Sequence, residues 1–185
     1  MVSHDPYGDP CSTLVFGARC PKLRDMADMR YSVMILPKKP EAVLLQSFTD
    51  DSGAVTWDGF GSFYETDQQP MVVAEEVFKA AFEATPKADA WHEVAHINYF
   101  INKPTGLVDL RTIIYFADWG ASLVSPPAFR WFGLADIPYQ RMHPATGKWL
   151  PLVLQGGGLL TARVSVEQPG HHAAGRVTEF SVEVP

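Results

Sequence analysis

Trp57-Asp58-Gly59-Phe60-Gly61, with the run 70–84 that follows it, is the part of the chain around which the other segments fall into place. Glycines set among aromatic residues over 57–63 suit a strand with a bulge or a close backbone approach. Pro70 then stands where a helix begins, because its missing N–H is not needed in the first turn. Val73, Val77 and Ala80 or Ala81 recur at helical spacing, Glu75, Glu76, Lys79 and Glu83 interleave with them, and Pro86 supplies the stop.

Working outward, 31–36 is a β-rich run closed by Pro37, and 42–48 is a second one across a Lys38-Lys39-Pro40 turn. Beyond the helix, 91–101 and 108–116 read as long strands joined by Asn102-Lys103-Pro104-Thr105-Gly106. Ser125-Pro126-Pro127 breaks the chain. A second helix is expected over 148–155, with Pro151 near its first turn and Gly156-Gly157-Gly158 ending it. Strands over 159–167 and 176–184 flank a Pro169-Gly170 turn, and a short helix is expected over 21–29. This order argues an α+β fold, with helices packed on a mixed sheet in a single domain.

The 185 residues, 46% hydrophobic and 19% charged, suit one globular domain with a sizeable core. A net charge of −6 argues against a nucleic-acid partner, which needs a basic face. Cys11 and Cys20 have no histidine or cysteine at ligand spacing, so free thiols are favoured over a pair and no metal site follows from them. No run approaches the length of an apolar membrane span, and residues 1–10 lack the basic cluster of a signal peptide. No membrane partner and a cytoplasmic location are expected.

Two segments carry a more specific likeness. One is Trp57 to Gly61, preceded by a strand containing Val43-Leu44-Leu45. The other is Trp131-Phe132-Gly133-Leu134-Ala135-Asp136-Ile137-Pro138, continuing through Met142-His143-Pro144 to Trp149-Leu150-Pro151-Leu152 and Leu154-Gln155. Together they resemble the Nudix family, and within it the oxidised-purine nucleoside triphosphate diphosphatases. The resemblance implies a Nudix-like mixed β-sheet sandwiched by helices, with residues 31–185 as the domain and 1–30 as an N-terminal extension.

The family's signature sets glutamates one helical turn apart so that they hold magnesium against a diphosphate. Aligned without a gap from Trp57, this chain has Lys79, Ala80 and Ala81 in that part of the helix. A shift by one residue recovers Gly61, Asp67, Glu76 and Val77 but leaves Lys79 and Ala80 where the paired glutamates belong. The family's further acid falls near Pro126 or Pro127. Its base-reading asparagine is Asp58 here, and its acidic pair is Ala145-Thr146, after His143-Pro144. With these departures from the family's pattern, no metal site and no cofactor are expected.

Val77, Ala80, Ala81, Phe63 and Tyr64 make the former phosphate end more apolar, and burying a polyanion there without partners is costly. Carried over from the family's purine pocket, Tyr31, Val33, Phe60, Tyr99, Ile101, Leu110 and Trp149 are expected to line an apolar cleft. Asp58, His143 and Tyr31 are the candidate catalytic residues; Phe60, Phe63, Tyr99, Ile101, Leu110 and Trp149 are the candidate substrate-binding residues. Against these stand ordinary alternatives: Asp58 satisfied by backbone amides, His143 on an exposed loop, Tyr99 packed with its hydroxyl tied elsewhere.

His92-Glu93-Val94-Ala95-His96 spells a zinc-protease motif, which works on a helix. In this β-type run its histidines would share a face ~13 Å apart, too far for one ion. The His171-His172 pair reads as a turn. The expected function is metal-independent cyclisation, rearrangement or isomerisation of an apolar small molecule in specialised metabolism. The alternatives are a non-catalytic Nudix-like small-molecule or partner-binding protein, and a residual nucleotide hydrolase using Glu65, Asp67, Glu75 and Glu76. Oligomeric state is left open.

Overall fold

The computed structural model describes residues 28–49, 53–120, 126–168 and 175–183. Nine strands form one sheet: β1 (Asp28–Lys39), β2 (Ala42–Thr49), β3 (Val55–Asp58), β4 (Phe60–Tyr64), β5 (Trp91–Lys103), β6 (Gly106–Asp118), β7 (Phe129–Gly133), β8 (Leu160–Glu167) and β9 (Arg176–Glu183). Helices α1 (Pro70–Phe82) and α2 (Thr146–Leu154) pack on its opposite faces. The main path runs β3-β2-β1-β6-β5-β8-β9, with β4 on β1 and β7 on β2. The β1–β6 and β5–β8 pairs are parallel and the rest antiparallel, so the sheet is mixed. No helix among the described residues is long and apolar enough to cross a membrane.

Alternation along β1 assigns each side chain to one of two cores, as the period of two in a strand requires. Val33 and Ile35 join Phe60, Phe78, Trp91 and Tyr115 beneath α1. Leu36 joins Ile97, Tyr99, Ile114, Trp149 and Leu150 beneath α2, with Met34 packed beside them. Phe78 centres the first core, its ring 4.9 Å from Phe82, 5.4 Å from Trp119 and 5.6 Å from Trp91. Burying such a side chain stabilises by about 1.5–3 kcal/mol.

The strand expected over 57–63 is split at Gly59 into β3, which follows β2, and β4, which follows β1. Two glycines make the crossing possible. A Cβ on Gly61 would lie 1.8 Å from the Val33 carbonyl oxygen, and one on Gly59 would lie 2.6 Å from Met34 Cγ. The close backbone approach expected here is thus between β4 and β1.

Several boundaries differ from the sequence reading. Pro37 lies inside β1: β4 pairs with Tyr31 to Ile35 and β2 with Lys38 and Lys39, so Pro37 sits between two antiparallel partners where no donor is required. Helix α1 ends at Phe82, because Glu83 adopts φ 52° and its N–H donates to the Lys79 carbonyl. Helix α2 starts two residues earlier than expected, prepared by Ala145 in helical geometry, so Pro151 falls inside it. Of the segment 21–29, residues 28 and 29 begin β1 and the rest lies outside the described residues, as do Pro169-Gly170 and His171-His172.

Candidate functional site

A cavity of about 460 Å³ opens on the α2 face of the sheet. Its floor comes from β1, β6 and β5: Ser32, Met34, Tyr99, Ile101, Leu110 and Thr112. These residues share a face because Ser32 pairs with Thr112, Leu110 pairs with Tyr99, and the ladder alternates between them. Ser62 and Phe63 of β4 form one side, while Asp58, His143 and Thr146 form the other.

Asp58 closes β3 and turns its carboxylate to the start of α2. Oδ1 accepts the Gly59 N–H at 2.8 Å, and the Thr146 hydroxyl lies 3.1 Å and 2.9 Å from Oδ1 and Oδ2. Burial raises its pKa to about 6, with the Gly59 and Thr146 hydrogen bonds pulling the other way. Near neutral pH this acid therefore exchanges between acceptor-only and donor forms. Tyr99 is buried beneath it, its hydroxyl accepting the Trp149 indole N–H at 2.9 Å. Burial, then the nearby Asp58 charge, pushes the Tyr99 pKa above the tyrosine range against that bond, so its proton stays in place. His143 stands exposed on the rim, yet protein around its ring lowers its pKa by desolvation. Its Nδ1 accepts the Ala145 N–H at 3.3 Å, so the neutral ring carries its proton on Nε2.

Of the residues expected here, Val33, Asp58, His143, Phe63, Tyr99, Ile101 and Leu110 line the cavity. Three do not. Tyr31 leaves β1 on the opposite face from Ser32; it packs against Tyr64 at 5.7 Å, in a separate groove of about 450 Å³. Phe60 pairs with Ile35 and points into the core under α1, 5.3 Å from Phe129. Trp149 is fully buried in the α2 core and reaches the site only through Tyr99. Tyr31 and Phe60 fail for one reason: each is one residue out of phase with the face that carries the cavity. Ser32, Thr112 and Thr146 were missed. Thr146 stood at a position read only as the loss of an acid, and the two floor hydroxyls become visible only once β1 is registered against β6.

The His-Glu-x-x-His segment lies on β5, with a bulge between Glu93 and Ala95. The extra residue puts its two histidines opposite Phe116 and Ile113, on different faces rather than the shared one expected. His92 meets Asp118 at 3.0 Å, and His96 meets Glu93 at 2.7 Å.

No family model matches the chain. The mouse oxidised purine nucleoside triphosphate hydrolase is 30% identical over 135 residues, covering 70% of this chain and 83% of that protein. The chain belongs to the Nudix hydrolase family. Its fold agrees with solved Nudix-type structures: the Bacillus halodurans MutT protein superposes with a TM-score of 0.64 at 12% identity, covering 83% of this chain and 97% of that one. The Escherichia coli ORF135 protein gives 0.52 at 16% identity, covering 69% and 87%. The kinship is with hydrolytic enzymes. It overturns the expectation of cyclisation, rearrangement or isomerisation, and with it a place in biosynthesis of specialised metabolites.

The Nudix fold implies a magnesium ion beside α1, and the side chains present do not fit one. Among the described residues no three His, Cys, Asp or Glu groups come together. Glu75 and Glu76 are neighbours on α1 and diverge by about 100°, and the next positions on the helix supply Lys79 and Ala80. Glu65 and Asp67 lie exposed in the loop before it.

Proposed function

We propose that this Nudix protein hydrolyses a phosphate-linked nucleotide, or a close analogue, whose base lies in the α2-side cavity. The observation that carries this reading is the pairing of a mostly apolar cavity, roomy enough for a nucleobase, with a carboxylate fixed at its edge by Thr146 and Gly59. The apolar body of a ring suits Met34, Ile101, Leu110 and Phe63, and its outer polar edge suits Asp58 and the Nε2 proton of His143. The mouse relative acts on oxidised purine nucleoside triphosphates by its name, which makes purine nucleotides the first compounds to try.

In this chain the cavity residues bind and orient. Asp58 accepts a ring N–H when ionised and donates to a ring carbonyl when protonated. Tyr99, held by the Trp149 indole, lies in the floor that meets the inner edge of the ring. Hydrolysis at the far end relies on scattered acids, Glu65, Asp67, Glu75 and Glu76, so turnover is expected to be slow. That same dispersal favours one second reading, a nucleotide-binding protein without turnover.

The test is a panel of purine nucleoside mono-, di- and triphosphates, ordinary and oxidised, with magnesium titrated from zero. Binding is followed by calorimetry and phosphate or diphosphate release by phosphorus NMR. Slow release from at least one compound, abolished by Asp58→Ala together with its binding, is the expected result. Binding without release establishes the second reading. Neither binding nor release overturns both.

A further inference from the structure

We propose that Ser32 and Thr112 act as one recognition unit, presenting a single hydroxyl donor to the inner edge of the bound ring and selecting rings that carry an acceptor there. The inference rests on the reading of the cavity as a nucleobase site and names which bases it takes: those with a carbonyl, or an equivalent acceptor, on the edge facing the sheet.

Ser32 on β1 and Thr112 on β6 are direct partners in the parallel pairing, so both side chains rise from the same row of the floor. Their hydroxyl oxygens are 2.8 Å apart, and either can be the donor. Among the described residues each hydroxyl has the other as its hydrogen-bonding partner. Thr112 is 4% exposed, a buried polar side chain in a face otherwise carrying Ile97 and Ile114. Packing alone does not call for hydroxyls in this row.

Each hydroxyl owns one proton. Whichever donates within the pair, one proton is used and one is left. Ile101 and Leu110 of the lining cannot accept and the Met34 thioether accepts only weakly, so the remaining proton finds a good acceptor in what enters the cavity. A ring carbonyl satisfies it. A ring edge of C–H groups removes water from the donor and returns nothing. Because the donor role can pass from Ser32 to Thr112, the carbonyl is accepted at either of two neighbouring points. This tolerates more than one oxo-purine while excluding rings without an oxo group. Asp58 and His143 at the rim read the other edge, so the favoured ligand is a flat ring polar at both ends.

Guanosine, 8-oxoguanosine, inosine and purine-riboside 5′-monophosphates, the last lacking any ring carbonyl, are titrated by calorimetry into the wild type, Thr112→Val, Ser32→Ala and the double variant. Thr112→Val keeps the shape and removes the hydroxyl; circular dichroism checks folding, and a double variant carrying Thr112→Cys, whose thiol donates only weakly, takes the place of the Val one if that does not fold. The wild type is expected to bind at least one oxo-purine about tenfold more tightly than the purine-riboside nucleotide. Each single variant keeps one hydroxyl and its proton, so either should retain most of that preference, whereas the double variant should lose it without weakening the carbonyl-free nucleotide. Retained preference in the double variant, or its loss in one single variant alone, overturns the hydroxyl pair and leaves the nucleobase site standing. An equal loss for all four nucleotides marks a packing role and overturns it too. No binding of any nucleotide by the wild type overturns the nucleobase reading and this inference together.

Discussion

Asp58 illustrates how one side chain ties stability to recognition. Its pKa is raised from 3.8 to about 6 in the folded chain, so between those values the folded state holds a proton that the unfolded state has released. Stability contributed by the protonated form is full below pH 3.8 and is lost as pH rises to about 6; above that the ionised acid is a standing cost. Asp58→Asn removes the ionisation while retaining a side-chain oxygen for Gly59 and Thr146. Urea denaturation across this range should show the variant gaining on the wild type as pH rises, with a difference at pH 7 on the order of 1–3 kcal/mol. A parallel pair of curves would show that Asp58 is solvated. Tyr99→Phe deletes the acceptor for the buried Trp149 indole, and the same denaturation series should find it destabilised by about 1–3 kcal/mol. Asp58 and Tyr99 were legible in the sequence because the family's pattern fixed both positions. Tyr31 and Phe60 were not placed correctly, since a strand shifted by one residue sends every side chain to the other face, and no composition or spacing reveals that phase.

At the scale of elements, the site depends on β4 lying against β1. Gly61 permits this, for any Cβ there would collide with the Val33 carbonyl. Gly61→Ala should therefore separate the two strands, costing about 3 kcal/mol or more and opening the wall made by Ser62 and Phe63. Thermal melting with binding measured in parallel checks it; an unchanged melting point would mean that β4 pairs more loosely. The spacing of Gly59 and Gly61 among aromatic residues is enough to signal this contact, and Pro70 is enough to signal where α1 opens. The helix ends were less legible. A left-handed Glu83 stops α1 ahead of Pro86, and the turn over His143 to Ala145 begins α2 before the expected start. Both depend on backbone geometry that the residue types alone do not dictate.

For the whole molecule, the sheet divides the work between two faces. The α1 face is closed by an aromatic core of Phe60, Phe78, Phe82, Phe129 and Trp91, while the α2 face retains a cavity. The α+β class and the mixed sheet followed from the order of β-rich and helical runs. The hydrolase class did not, because the missing glutamates on α1 argued for a different chemistry, whereas the kinship over 135 residues argues for the family's own. Sequence reasoning carried the family's purine-pocket positions over but assigned them to an apolar ligand; the cavity several of them line lies on the far side of the sheet from α1. The most direct test of that cavity is an amide and methyl NMR titration of the full chain with a purine nucleotide. Perturbations are expected to cluster at Ser32, Asp58, Ile101, Leu110, Thr112 and Thr146. Perturbations centred instead on Tyr31 and Tyr64 in the opposite groove, or none at saturating nucleotide, would contradict it.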